Sequence, residues 1–171
     1  SGRPVIPGLP GVQITTHVTD EAWEGITDSD VASPAVNRLA LGEHAGTHVD
    51  AFSHMARQFR GRSIDTMPLS MFYTEGICLD LSHKGPGELI EPEELGQALA
   101  VAGLAIAPGD TVLLYTDHYR RTYGTPAWEN GPGLSAAAAT WLGEQRIAAF
   151  GVAPVAPGGR HISNQQGQHM S

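Results

Sequence analysis

The sequence predicts an α/β fold, on two observations. From Gly76 onward, short apolar runs alternate with stretches of strong helix formers, in the order strand, helix, strand, helix, strand. Residues 1–70 differ: they are rich in turns and polar residues and show few helical periods. Strands separated by a helix must pair by a crossover, so parallel pairing with right-handed connections is expected. A chain of 171 residues suffices for one domain with a real core, and residues 1–171 are read as one.

In chain order, "RPVIPGLPGV" carries prolines too dense for a helix or a central strand. "AVNRLALGEHAGTHVDAF" alternates in places and reads as strands around a turn. "RQFRGR", from Arg57 to Arg62, reads as a solvated loop. "GICLDLS" (Gly76 to Ser82) is a short buried strand, and Cys78 within it is expected in the core. "EPEELGQALAVAGL" follows as a helix. Pro92 sits where a first turn tolerates it, and acidic residues meet the positive end of the dipole. "GDTVLLYTD" (Gly109 to Asp117) is a second strand. "LSAAAATWLGEQR" is a second helix, with Ser135 as its N-cap. "IAAFGVAP" (Ile147 to Pro154) is a third strand.

Charge and composition narrow the function classes. A formal net charge of −8, with no basic cluster to offset it, argues against nucleic acid. No apolar run is long enough to cross a bilayer, so no membrane role is expected. The one cysteine excludes an internal disulfide framework and fits a reducing compartment. The opening residues lack the pattern of a secretory signal. A cytoplasmic protein is therefore expected.

The chemistry concentrates in "HAGTHVDAFSH". Four of the candidate side chains, His44, His48, Asp50 and His54, fall within eleven residues of a chain with eight histidines. In an extended segment these even-numbered residues share one face, while Val49 and Ala51 point the other way. Gly46 lets backbone or substrate approach that face closely. Imidazole nitrogen and carboxylate oxygen are the ligand set expected for zinc, manganese or iron. Grouped without a metal, such rings would crowd one another for want of partners. A Ser/His/Asp triad is a poor competitor, because no G-x-S-x-G turn is present.

This segment resembles the H-x-G-T-H-x-D-x-P-x-H signature of the cyclase-like metal-dependent hydrolases, the family of bacterial kynurenine formamidase and isatin hydrolase. "PLSMFYTEGICLDLSHK", "IAPGDTVLLYTD" and "GPGLSAAAATWLGEQRIAAFGV" resemble later parts of the same pattern in the same order. The resemblance implies a swivelling β/β/α domain, with a barrel-like β body and flanking helices. It implies His44, His48 and Asp50 as metal ligands and His54 as the catalytic acid/base. For His54, a fourth ligand or a partner of a ligand is the alternative. It also implies a distal metal-binding histidine after the last strand. His169 is favoured there, with His161 and Gln168 as alternatives.

The implied cofactor is a divalent metal, Zn2+ or Mn2+. The implied activity is hydrolysis of a C–N bond in a small, aromatic amide or lactam. A ring-closing or ring-opening cyclase, or a non-catalytic metal- or ligand-binding relative, is the alternative. The expected partners are a small-molecule substrate and further copies of the chain, as a homodimer or larger homo-oligomer.

The sequence departs from the family pattern at several points. Phe52 stands at the signature's proline, Ala153 where many members carry an aspartate, and Ile6 where some formamidases have tryptophan. An opening strand before Ser1 and a glutamate after His169 are missing. The chain therefore reads as short of terminal segments, with one strongly held metal. Of the remaining histidines, His83 and His118 follow strand ends and read as surface-loop residues, as an alternative to substrate contacts; His17 carries no assignment. Trp23, Phe52, Tyr123 and Trp128 are candidates to line an aromatic pocket, and Trp141 is expected in the core.

Overall fold

The computed structural model of the protein describes residues 10–23, 26 and 35–152. They belong to two compact units, Ser1–Asp50 and Ala51–Ser171. The second holds the hydrophobic core. Its strands β3 (Gly76–Asp80), β5 (Thr111–Tyr115) and β7 (Ala149–Val152) form one sheet in the order β3-β5-β7. Both pairings are parallel, with Ile77 beside Val112 and Val112 beside Phe150. The expected crossovers are helices α2 (Pro92–Ala102) and α4 (Ala136–Glu144). Two two-residue strands, β4 (Leu89–Ile90) and β6 (Gly133–Leu134), pair in parallel beside them.

Local chemistry explains where the helices begin. Pro92 occupies the first turn of α2, where its missing N–H would have no partner. The Glu94 carboxylate accepts the Glu91 backbone N–H at 2.9 Å. Gly103, at φ +66°, ends the helix in the left-handed region that a Cβ disfavours. For α4, Ser135 Oγ accepts the Ala138 N–H at 3.0 Å, the N-cap expected of it.

Alternation along β3 and β5 sends Ile77, Leu79, Val112 and Leu114 to one side. There they pack with Leu81, Ile90, Leu95, Leu134, Ala138 and Leu142, and Trp141 packs against this core, as expected. Cys78 does not. It is exposed on the opposite face of β3, in register with the exposed Leu113 of β5. The sequence placed it in the core because the whole strand is apolar, yet only its neighbours Ile77 and Leu79 face inward.

One ion pair ties the loop after β3 to the start of α2. Lys84 Nζ donates to both Glu94 carboxylate oxygens, at 2.9 and 3.0 Å. Burial pushes the Glu94 carboxyl upward, but the Glu91 N–H, Lys84 and His83 outweigh it and hold the carboxyl below its ordinary value. Arg121 donates to the Lys84 and Thr116 carbonyls, at 2.6 and 2.8 Å, and so joins the loops that follow β3 and β5.

The first unit contains an antiparallel pair, β1 (Gln13–Val18) and β2 (Val36–Ala40), with a register shift between Thr16 and Val18. Residues 10–12 of the proline-rich opening carry no regular structure. The expected strands around a turn reduce to β2 alone, because residues 43–47 form turns and bends. Among the described residues the sheets have two, three and two strands and none closes. The α/β class is therefore seen and the barrel-like body is not. Among the same residues no helix is long and apolar enough to cross a membrane.

Candidate metal centre

Chain reversal after β2 builds the site. The Ala45 N–H donates to the Gly42 carbonyl at 3.1 Å, closing a turn that contains His44. Gly46 follows at φ +79°, a backbone conformation that favours glycine. Its carbonyl then faces the ring of His48, whose Nδ1–H donates to it at 2.7 Å. That bond orients the imidazole and leaves the Nε2 lone pair for another partner.

Three ligand atoms converge. His44 Nδ1 lies 2.8 Å from His48 Nε2. Asp50 Oδ1 lies 3.3 Å from the first and 3.4 Å from the second. Ligands about 2.1 Å from a single ion stand about 3.0 Å apart in an octahedral arrangement and about 3.4 Å apart in a tetrahedral one. The observed triangle is close to that size. Its donor set, two imidazoles and one carboxylate, suits a borderline divalent ion and supplies one negative charge. Among the described residues this is the one group of three or more His, Cys, Asp or Glu side chains with metal-ligand geometry. The side chains are neither sealed nor fully open: His44 is 20%, His48 32% and Asp50 39% exposed. Water and a small substrate can reach such a site.

Three of the residues singled out by spacing, His44, His48 and Asp50, are thus brought together, though not by the backbone expected. The segment is a turn followed by irregular chain rather than a strand. Three of the even-numbered residues converge because Gly46 turns the chain between His44 and His48. His54 lies four residues beyond Asp50, exposed, on the one-turn helix α1 (Phe52–Met55) of the second unit. His161, Gln168 and His169 lie outside the described residues.

The other candidates separate in character. His83 is exposed, as expected of a loop residue, and pairs with Glu94 at 3.3 Å. The neighbouring Asp80 is held below the usual carboxylate range by the Ser82 hydroxyl and the Ser82 N–H. His118 is not a surface residue. It is fully buried at the start of the short helix α3 (His118–Thr122). Its Nε2–H donates to the Trp128 carbonyl at 3.1 Å, and its ring lies parallel to the Trp128 indole. The sequence signal of a strand end could not show that Trp128, ten positions on, folds back over it.

The suggested aromatic lining divides. Tyr123 and Trp128 meet edge-on, with ring centroids 5.1 Å apart. Phe52 packs instead with Phe59, beneath the Arg62 guanidinium. Trp23 lies in the first unit, in a 3-10 turn over Asp20–Trp23. Most of "RQFRGR" is exposed, as read from the sequence, but the packing of Arg62 on Phe52 went unread. A cation ten residues beyond an aromatic ring leaves no periodic signal.

Comparison with known proteins gives a consistent result. The family model Cyclase, described as "Putative cyclase", matches residues 11–157. Kynurenine formamidase of Salinibacter ruber is 35% identical over 93 residues, which is 54% of this chain and 39% of that protein. An isatin hydrolase, solved bound to the product analogue thioisatinate, superposes with a TM-score of 0.68 at 25% identity, covering 84% of this chain and 56% of the other. Isatin hydrolase A from Ralstonia solanacearum gives a TM-score of 0.67 at 26% identity, covering 89% of this chain and 63% of the other. The chain therefore spans less than two thirds of the length of each of these relatives. The family model spans most of this chain, and the chain belongs to the Cyclase family.

Proposed function

We propose that this chain is a metal-dependent hydrolase, cleaving a carbon–nitrogen bond of a small, aromatic amide or lactam. The observation that carries this reading is the ligand triangle of His44 Nδ1, His48 Nε2 and Asp50 Oδ1. The similarity to kynurenine formamidase and isatin hydrolase supports the substrate class. The ion is zinc or manganese, with His169 as the favoured further ligand. The chemistry such an ion would supply when bound is Lewis acidity, which lowers the pKa of water far below its bulk value, toward about 7, and polarises a carbonyl.

The chain's own groups do the rest. His44 and His48 present neutral lone pairs, and Asp50 supplies the compensating charge. His54 accepts a proton from the attacking water as the new carbon–oxygen bond forms. It then gives that proton to the leaving nitrogen as the carbon–nitrogen bond breaks. The chain works as a homodimer or larger homo-oligomer.

An assay panel tests the reading. Purified protein supplied with zinc or manganese is offered an aryl formamide, isatin and simple lactams. Turnover of at least one, abolished by a chelator and restored by the ion, is expected. Tight binding of one compound without turnover of any would overturn it in favour of a metal-dependent binder.

A further inference from the structure

We propose that Arg62 is a positioning residue that holds α1, and with it His54, in place. The inference rests on the acid/base role proposed for His54, but its structural half stands separately. Helix α1 has four residues, no side-chain cap and no buried side chain. A single helical turn has little cooperative support of its own. The segment that follows grips it. The Arg62 guanidinium carbon sits 4.2 Å from the centroid of the Phe52 ring, the first residue of α1. It lies 5.9 Å from the Phe59 centroid, and the two rings are themselves 5.9 Å apart. The Ser53 N–H, on the second residue of α1, donates to the Arg62 carbonyl at 3.2 Å. Arg62 thus holds two consecutive residues of α1, one through its side chain and one through its backbone.

The return of the chain is itself built for this contact. The Arg62 N–H donates to the Phe59 carbonyl at 2.9 Å, and Gly61 turns at φ +90°. A guanidinium over an aromatic face is attracted by the ring quadrupole, most strongly where the cation is partly dehydrated. Phe52 gives the contact its particular meaning. It occupies the position of the signature's proline, and that position is the first of a helix, where proline fixes φ without a partner. Ala51 before it is extended, at ψ 160°, which admits a following proline. With phenylalanine there, the fixed torsion is lost. The stacked arginine supplies the restraint from outside.

The test uses Arg62→Ala, Arg62→Lys, Phe52→Pro and the double variant Phe52→Pro with Arg62→Ala in the full chain. Solvent-exchange NMR on the Ser53–Met55 amides reads the restraint without any substrate. Arg62→Ala is expected to speed exchange there about two- to five-fold, the size of one exposed cation–π contact. Leu95 and its neighbours in α2 stay unchanged, and Arg62→Lys falls between alanine and the parent. In the Phe52→Pro background, Arg62→Ala has no further effect. On a turned-over substrate, Arg62→Ala lowers kcat with KM and metal affinity unaltered. Exchange unchanged in Arg62→Ala, equal acceleration throughout α2, or an undiminished effect in the proline background would each overturn the proposal. Exchange that shifts as described in a protein without hydrolytic turnover would uphold the clamp and remove the catalytic role of His54.

Discussion

Replacing His54 by alanine is expected to lower kcat by about 10²- to 10⁴-fold while metal content and fold stay unchanged. The expectation follows from separating two tasks. His44, His48 and Asp50 already form a closed triangle of ligand atoms. His54 is not one of the three grouped side chains and belongs to α1 of the second unit. If its task is proton transfer, its loss removes rate and spares metal affinity. Steady-state kinetics beside a chelator-competition titration separate the two. Loss of metal together with rate would make His54 a ligand instead.

The second large effect is at Asp50. Asp50→Asn keeps the shape of the side chain and removes the one anionic donor of the triangle. Two neutral imidazoles must then offset the desolvation of a dication alone. Substitutions of groups that merely support a ligand already cost about 10- to 100-fold in metal affinity. Loss of the charged ligand itself is expected to cost at least about 100-fold, with hydrolysis falling in parallel at limiting metal. Competition against a chelator of known affinity measures it. An affinity unchanged in Asp50→Asn would remove the carboxylate from the site.

How much of this was legible in the sequence varies with how local each signal is. α2 and α4 were readable because their beginnings are written in adjacent residues: Pro92 with Glu94, and Ser135 with Ala138. The parallel pairing of β3, β5 and β7 followed from the helices between them. The inward face of β3 was harder, since Cys78 is as apolar as its neighbours, and only packing assigns it outward. Strand β1 escaped notice although Ile14, Thr15, Thr16 and Val18 are β-branched, because its partner lies beyond residues 19–35.

At the site, residue type alone grouped His44, His48 and Asp50, which do converge. Ligand type survives an error in local conformation, so the metal reading did not depend on the segment being a strand. What the spacing could not supply was the orientation of His48, which a backbone carbonyl fixes through the turn at Gly46. The burial of His118 and the stacking of Arg62 on Phe52 are likewise contacts made by returning chain.

His44, His48 and Asp50 are proposed to hold one divalent ion. The most direct measurement is an anomalous-difference map from crystals of untagged protein equilibrated with zinc, and separately with manganese, recorded at each metal's absorption edge. A single strong peak is expected inside the triangle, about 2.0 to 2.2 Å from His48 Nε2 and from Asp50 Oδ1. A featureless map at that position, with either metal, would contradict it.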